Sequence, residues 1–217
     1  SLVGSEMCIR DRNNDIPGLD EDLKTRFLAE SLFIRAHYFY HLVQQFGDIP
    51  MPLKPTNSVE TTAHKTKVDE VWNQIVTDLE FAVENLPETY QASEFGHITK
   101  YAAMHHLSRV YLTLKRSDDD LKKALNYAEQ VINSGKYSLV KSHAELWDIN
   151  NKNNSEVLFS VLYTQNAELN GDGNTAHMYF CSAYSEEHPA VKRVIEYGRP
   201  WSRERSSDFA ISLFDKT

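Results

Sequence analysis

The chain has 217 residues, of which 41% are hydrophobic and 25% are charged, and its net charge at pH 7 is −8. This length fits one large domain or two small ones with an ordinary globular composition. The negative charge argues against nucleic acid as the main partner, and no apolar run approaches membrane-spanning length. Aromatic residues are frequent (11 Tyr, 10 Phe and 3 Trp), which suits either core packing or a stacking surface for sugar rings.

The first twelve residues, SLVGSEMCIRDR, follow neither a helical nor a strand period. They resemble a translated transposase adapter from sequencing-library preparation, and we exclude them from the fold prediction. The alternative is a poorly structured natural N-terminus. If they are an adapter, Cys8 drops out of the cysteine count and Cys181 stands alone. The natural N-terminus is then missing, so the lack of a signal peptide or lipid-attachment cysteine says nothing about localisation.

A long amphipathic helix is predicted from about Glu21 to Phe46. Asp20 and the two acidic residues after it suit an N-cap and the positive end of the helix dipole. Gly47 suits the left-handed backbone of a helix end, and Pro50 prevents the helix from resuming. The predicted buried face comprises Leu28, Leu32, Ala36, Phe39, Leu42, Val43 and Phe46.

His37 and His41 lie four residues apart on this helix, a spacing at which two imidazoles can share a metal ion. No HExxH pattern accompanies them and the sequence nominates no third ligand. Packing or surface histidines are therefore the favoured interpretation.

A second helix is predicted between Thr66 and Pro87 after a polar link. Thr66 and Asp69 have the spacing of a capping box. Gln91 to His97 is predicted as a loop. The apolar face of the second helix comprises Val68, Val71, Trp72, Ile75, Leu79, Ala82, Val83 and Leu86.

A third helix is predicted from near Thr99, and a fourth after the run Ser117 to Asp120. That acidic run suits an N-cap with favourable dipole charges better than a cation site. Gly135 caps the fourth helix. A short polar link predicts antiparallel packing of this pair, as in a tetratricopeptide-type hairpin. The predicted stripes are Ala103, Leu107, Val110, Tyr111 and Leu114 on the third helix, and Leu121, Ala124, Leu125, Ala128, Val131 and Ile132 on the fourth.

The period changes after residue 135. Tyr137 to Val140 is predicted to be extended, Ala144 to Asp148 to form a helical turn, and Ser155 to Tyr163 to form a strand. Asp148 to Glu156 lacks the turn glycine and the bidentate acid of a calcium loop. Thr164 to Arg199 has no sustained period, which is typical of functional or disordered segments. We therefore predict a helical scaffold over residues 13–135 and an irregular, partly extended ligand-side region over 136–217, truncated at its C-terminus.

No P-loop, dinucleotide-binding glycine pattern, nucleophile elbow or zinc motif is present in the sequence. A glycoside hydrolase would need two carboxylates facing one sugar bond, and none of the 31 acidic residues is singled out for this. The sequence therefore predicts no cofactor, no metal and no enzyme activity.

From residue 20 onward the chain resembles, in collinear pieces, the SusD/RagB family of nutrient-binding outer-membrane lipoproteins of Bacteroidetes. His97 and Tyr101 stand where the family usually has an arginine and a glycine. Members of the family are considerably longer, so the chain resembles an internal fragment. The pieces are FLAESLFIRAHYFYHLVQQFGDIPMPL, VDEVWNQIVTDLEFAVENLP, GHITKYAAMHHLSRVYLTLKR, NYAEQVINSGKYSLV, ELWDINNKNNSEVLFSVLY and GRPWSRERSSDFAISLFD.

The resemblance implies a mainly α-helical fold of tetratricopeptide-like hairpins with a loop-rich part carrying short strands. It also implies a surface-exposed protein of the cell outer membrane, held by a lipid anchor absent from this fragment. Such a protein passes oligosaccharides, polysaccharides or other nutrients to a SusC-type TonB-dependent transporter. The alternative function is a tetratricopeptide-like adaptor that binds peptides, although such arrays continue their period and this chain does not.

Glycan binding suits aromatic platforms beside polar side chains, because sugars present apolar C–H faces and hydroxyl groups. The irregular region supplies such candidates, each of which has local packing as an alternative role. The aromatic candidates are Tyr179, Tyr184, Tyr197 and Trp201, and the polar ones are Asn166, Asn170, Asp172 and Asn174.

Overall fold

The computed structural model describes residues 18–54, 64–148 and 150–163, together with residues 9, 62, 207 and 212. Its helices confirm the mainly α-helical fold predicted from the sequence. Among these described residues, no helix combines the length and the apolar composition needed to cross a membrane. The helices are α1 (Glu21–Phe46), α2 (Val68–Asn85), α3 (Lys100–Leu114), α4 (Asp118–Asn133) and the short α5 (His143–Leu146), with a 3₁₀ turn at Ala92–Glu94.

The chain divides into two compact units, Ser1–Ser160 and Val161–Thr217. Helices α1 to α5 all belong to the first unit, which also includes residues 136–160. The domain boundary that the sequence suggests after residue 135 stays a prediction.

Helix α1 begins and ends as its sequence predicts. The Asp20 carboxylate accepts a hydrogen bond from the Leu23 N–H at 3.1 Å, which satisfies one of the free donors of the first turn. At the other end, the Gly47 N–H donates to the Val43 carbonyl at 3.0 Å. Gly47 has φ 67° and ψ −119°, a conformation that strains any residue with a Cβ.

The start of α2 differs from the predicted capping box. The Lys67 N-cap makes no side-chain capping bond, and Thr66 instead pairs with Ile49 in an isolated antiparallel bridge. This bridge places Asp48 at the start of α2, where its carboxylate accepts from the Val68 N–H and from Lys67 Nζ, both at 3.0 Å. The hydrogen bond from Lys67 lowers the pKa of Asp48. The turn after α1 therefore caps the next helix from a distance of 20 residues along the chain.

The four long helices form two hairpins that pack on each other. Helix α1 packs against α2, α2 against α3, and α3 against α4. Ring contacts give the directions within each hairpin. Tyr40, late in α1, meets Trp72, early in α2, at 5.8 Å, and Tyr111, late in α3, meets Lys123, early in α4. Both hairpins are therefore antiparallel, as tetratricopeptide-type packing requires.

The core lies along the α1–α2–α3 contacts, where Phe39, Ile75, Leu79 and Leu107 are each 0% exposed. Three predicted core residues lie at the surface instead: Phe46 is 65%, Leu125 59% and Ile132 73% exposed. Among the described helices α4 contacts only α3, so one narrow face of α4 is buried rather than the whole predicted stripe.

A buried ion pair joins α1 to α2. Arg35 donates from Nε and Nη2 to the two carboxylate oxygens of Asp78, both at 2.7 Å, and Gln74 donates to the same carboxylate at 2.7 Å. Burial raises the pKa of the Asp78 carboxyl, and the bonds from Arg35 and Gln74 oppose that shift. Both charged side chains are almost fully enclosed, and the two opposite charges compensate each other away from water.

The strand predicted from Ser155 to Tyr163 is wrong, since residues 155–163 form turns and irregular backbone. The segment meets residues 138–140 through one backbone bond, from the Ser138 N–H to the Ser155 carbonyl at 3.0 Å. The next donor, the Val140 N–H, is taken by the Glu156 side chain at 3.0 Å. A side chain thus replaces the backbone acceptor that a β-ladder would need at this point. The helical turn predicted just before this segment is confirmed as α5.

Candidate functional site

The ligand-binding residues predicted from the sequence, Tyr179, Tyr184, Tyr197, Trp201 and Asn174, lie outside the described residues. Clefts in the described part of the chain combine aromatic rings with polar side chains. We call two of them the loop cleft, which lies beside the α2–α3 connection, and the histidine cleft, which lies between α1 and α3.

The loop cleft has a volume of about 510 Å³ and lies between residues 88–99, residues 136–137 and residues 153–158. Its floor is set by the α2–α3 connection, in which Pro87 ends α2 and its carbonyl accepts from the Lys100 N–H at 2.9 Å. Gly96 allows the connection to turn with φ 103°. The connection therefore has a defined shape, although the sequence indicated only a loop.

Tyr90 forms a rigid aromatic wall of the loop cleft. Its hydroxyl is 3.0 Å from both the Glu30 carboxylate and the Ile98 carbonyl, and its ring stacks on His97 at 5.2 Å. Burial and then the negative charge of Glu30 raise the pKa of Tyr90, so the phenol stays protonated and remains a donor. Arg26 covers the ring at 5.4 Å and pairs with Glu94 at 3.1 Å.

Tyr137 and Phe95 supply the other two rings of the loop cleft. The Tyr137 hydroxyl is 3.1 Å from Thr99 Oγ1, and its ring meets Tyr101 edge to face at 5.9 Å. Phe95 is 46% exposed, so part of its apolar ring faces solvent. Two fixed tyrosines and one open phenylalanine thus border the same space.

Hydrogen-bonding side chains line the rest of the loop cleft. Glu88, Gln91, Lys136, Asn153 and Ser155 all contribute to it, and all five are exposed. The lining therefore offers carboxylate, amide, ammonium and hydroxyl groups next to aromatic faces. Such a surface can hold a sugar by its apolar face and its hydroxyl groups together. The sequence signal for this cleft was the pair of aromatic residues, Tyr90 and Phe95, at either end of an otherwise polar loop.

Of the two histidines that the sequence analysis singled out, His37 lines the histidine cleft, together with His105 and His106. His37 lies 4.7 Å from His41 and 5.4 Å from His106 between ring centroids. Among the described residues no group of three or more His, Cys, Asp or Glu side chains is placed to hold a metal ion. The histidines instead pack against aromatic rings, as His106 does on Phe33 at 5.6 Å and on Tyr40 at 4.9 Å.

Burial of His106 should make the stability of the protein depend on acid pH. Burial, followed by the nearby charges of His37 and Arg109, lowers the pKa of His106 to about 3. The unfolded chain then binds the extra proton near its ordinary pKa of 6.5, so stability is lost as the pH falls below that value. Between pH 7 and pH 5 we expect His106 to account for about 2 kcal/mol of lost unfolding free energy. Urea denaturation at pH 7 and at pH 5 measures this loss of unfolding free energy.

The matched control for this prediction is His106→Gln, which keeps a polar side chain of similar size and removes the titration. The loss between pH 7 and pH 5 should shrink by about 2 kcal/mol in this variant. An identical loss in both proteins would show that His106 titrates alike in the folded and unfolded states.

Sequence comparisons place the chain beside SusD-like proteins. A SusD-like family described as "Starch-binding associating with outer membrane" matches residues 11–112. SusD-like protein P2 of Formosa agariphila is 31% identical over 189 residues, which is 84% of this chain and 35% of that protein. A SusD-like protein of Bacteroides ovatus is 28% identical over 160 residues, covering 66% of this chain and 27% of its own length. The chain thus spans about a third of the length of these curated relatives.

Solved structures share the same helical arrangement. A structure described as a laminarin binding SusD-like protein has a TM-score of 0.72 at 25% identity, covering 85% of this chain and 42% of that one. A SusD superfamily protein of Parabacteroides distasonis has a TM-score of 0.74 at 23% identity, covering 85% of this chain and 39% of its own. The second likeness supports the fold alone.

Proposed function

This chain belongs to the SusD/RagB family, and on that premise we propose that it binds glycans without cleaving them. The observation that carries the proposal is the loop cleft, in which Tyr90, Phe95 and Tyr137 border about 510 Å³ of space lined by polar side chains. The glycan-binding character of the family and the chemistry of this cleft point to the same class of ligand.

The fixed geometry of the two tyrosines favours binding. The Tyr90 hydroxyl meets Glu30 and Ile98, and the Tyr137 hydroxyl meets Thr99, before any ligand arrives. Less side-chain entropy is then lost on binding than with free rings. In the proposal a sugar ring lies on Phe95, and exposed polar side chains such as Asn153 bind its hydroxyl groups.

The residues predicted from the sequence define a second proposed surface. Tyr179, Tyr184, Tyr197, Trp201 and Asn174 lie in the aperiodic part of the chain, and their role in glycan binding remains a proposal. An experiment must compare variants of each set side by side.

The activity of the whole protein is also proposed from the family. The matched family is described as associating with the outer membrane, so we place the protein at the cell outer membrane. We propose exposure at the cell surface through a lipid anchor, and delivery of the bound glycan to a SusC-type TonB-dependent transporter. Co-purification of the full-length protein with such a transporter tests this part.

Affinity electrophoresis with laminarin, xyloglucan and starch tests glycan binding and locates it. We expect at least one polysaccharide to retard the wild-type chain. Phe95→Ala should weaken that binding about tenfold, because the lost stacking and apolar contact are worth about 1.5 kcal/mol. The matched control is Phe46→Ala, which removes an exposed ring outside the cleft.

Trp201→Ala and Tyr184→Ala test the second surface in the same gels. Weaker binding by these variants but not by Phe95→Ala would move the site from the loop cleft to the aperiodic part of the chain. Unchanged binding in all three variants would overturn both assignments. No retardation of the wild-type chain by any of the polysaccharides would count against the proposed function itself.

A further inference from the structure

The histidine cleft is a separate cavity of about 340 Å³ between α1, α3 and residues 156–159. Two phenylalanines form its apolar walls. Phe33 is 1% exposed, and its ring meets that of Phe159 edge to face at 5.2 Å. Phe159 is itself exposed to solvent. Its ring, which is in contact with the buried Phe33, therefore offers an apolar face to a ligand in the cleft.

Positive charge and imidazole groups gather in this cleft. Arg109 lines it together with His37, His105 and His106. The Arg109 guanidinium lies 5.6 Å from the centroid of the Tyr40 ring, and it forms a salt bridge with none of the described carboxylates. Its fork of N–H donors is thus available to a bidentate acceptor such as a carboxylate.

A buried polar atom in the same cluster has no partner. His106 is 5% exposed, and its Nε2 has no hydrogen-bond partner among the described atoms. The Nε2 atom is enclosed by the protein, so a ligand in the cleft meets His106 through the rest of its ring, which lines the cleft.

The single acidic residue that lines the histidine cleft, Glu156, already has a backbone partner for one of its carboxylate oxygens. Glu156 accepts a hydrogen bond from the Val140 N–H at 3.0 Å through Oε2, and it forms no salt bridge with Arg109. The cation of Arg109 is therefore not neutralised within the described residues, although the nearby negative charge weakens its attraction for an anion.

We propose that the histidine cleft binds an anionic sugar residue, a hexuronate, with its carboxylate on Arg109 and its apolar ring face against Phe159. A carboxylate matches the guanidinium fork, and the ring supplies the apolar face that the aromatic wall can cover. The imidazoles of His37 and His105, which line the same cleft, then meet ring or hydroxyl oxygen atoms. This site is distinct from the loop cleft. The proposal for the histidine cleft therefore does not depend on whether the loop cleft binds neutral glycans.

NMR titration of the full 217-residue chain with D-glucuronate, D-glucose and acetate tests the proposal. Glucose lacks the carboxylate, and acetate lacks the ring. We expect glucuronate to bind at least about tenfold more tightly than either one, because a charge-assisted bidentate contact and a ring contact act together. Histidine ring signals should shift with glucuronate. Equal affinity for glucose or for acetate would overturn the proposal.

Three variants locate the binding. Arg109→Gln should lose at least about tenfold in glucuronate affinity, and Lys122→Gln, which removes the same charge from the exposed face of α4, should lose nothing. Glu156→Gln should strengthen binding, because it removes the acid and keeps an acceptor for the Val140 N–H. Equal effects of Arg109→Gln and Lys122→Gln would show a general charge effect and reject the site. Phe95→Ala should leave glucuronate binding unchanged, which separates this proposal from that for the loop cleft.

Discussion

Replacing Asp78 by alanine should cost about 3–5 kcal/mol of the free energy of unfolding, because it removes a buried carboxylate that forms two charge-assisted hydrogen bonds with the buried Arg35. Arg35 and Asp78 share two hydrogen bonds of 2.7 Å in the contact between α1 and α2. The side chain of Asp78 is 2% exposed and that of Arg35 is 7% exposed, so water cannot replace the lost partner. Urea denaturation at pH 7 measures the loss.

Two controls separate the ion pair from a general effect of charge. Asp69→Ala removes an exposed carboxylate from the first turn of α2, and it should cost less than about 1 kcal/mol. The double variant Arg35→Met with Asp78→Leu removes both charges, and it should recover most of the stability that Asp78→Ala loses. If Asp78→Ala were as stable as the wild-type chain, Arg35 would have to be solvated or compensated by another group.

Replacing Phe39 by alanine should cost about 3–5 kcal/mol, since a fully buried ring is removed and the helices around it close the cavity only in part. Phe39 is 0% exposed in the core between α1, α2 and α3. The sequence pattern places Phe39 and Phe46 on one helical face, but Phe46 is 65% exposed. Phe46→Ala on the same helix should therefore change stability by less than about 0.5 kcal/mol.

The ratio of these two effects is the informative quantity. A comparable loss in both variants would show that the last turn of α1 is covered, contrary to the exposure of Phe46. Thermal denaturation followed by circular dichroism gives both values under one condition.

Helix ends were predictable from the sequence because their determinants are local. Asp20, Thr99 and Ser117 each cap a helix through a backbone N–H three residues later. Gly47 and Gly135 take positive φ just after a helix, as their positions predict. The apolar periods of α1 to α3 also identified the core, since one face of each helix is buried against its neighbour.

Contacts between distant residues were not predictable in the same way. The cap of α2 comes from Asp48 rather than from Thr66, because the bridge from Ile49 to Thr66 brings the earlier turn onto the helix. The Arg35–Asp78 pair depends on the register of two helices, which periodicity does not determine. Ile132 is exposed because, among the described helices, only α3 packs against α4. The sequence of one helix does not determine how many other helices pack against it.

The candidate sites also differ in whether their residues are close together or far apart in the sequence. The sequence pointed to aromatic residues in the aperiodic part of the chain, from Tyr179 to Trp201, and their role stays a prediction. The loop cleft escaped notice because its rings, Tyr90, Phe95 and Tyr137, come from segments more than 40 residues apart that only the antiparallel hairpins bring together.

The central claim is that this SusD/RagB protein binds a glycan and leaves it intact. The direct measurement is isothermal titration of the wild-type chain with oligosaccharides from each polysaccharide that retards it, followed by a reducing-end assay on the recovered ligand. We expect saturable binding that Phe95→Ala weakens about tenfold, with no reducing ends beyond those of a buffer control. New reducing ends, or heat changes that do not saturate for any ligand of the panel, would contradict the claim.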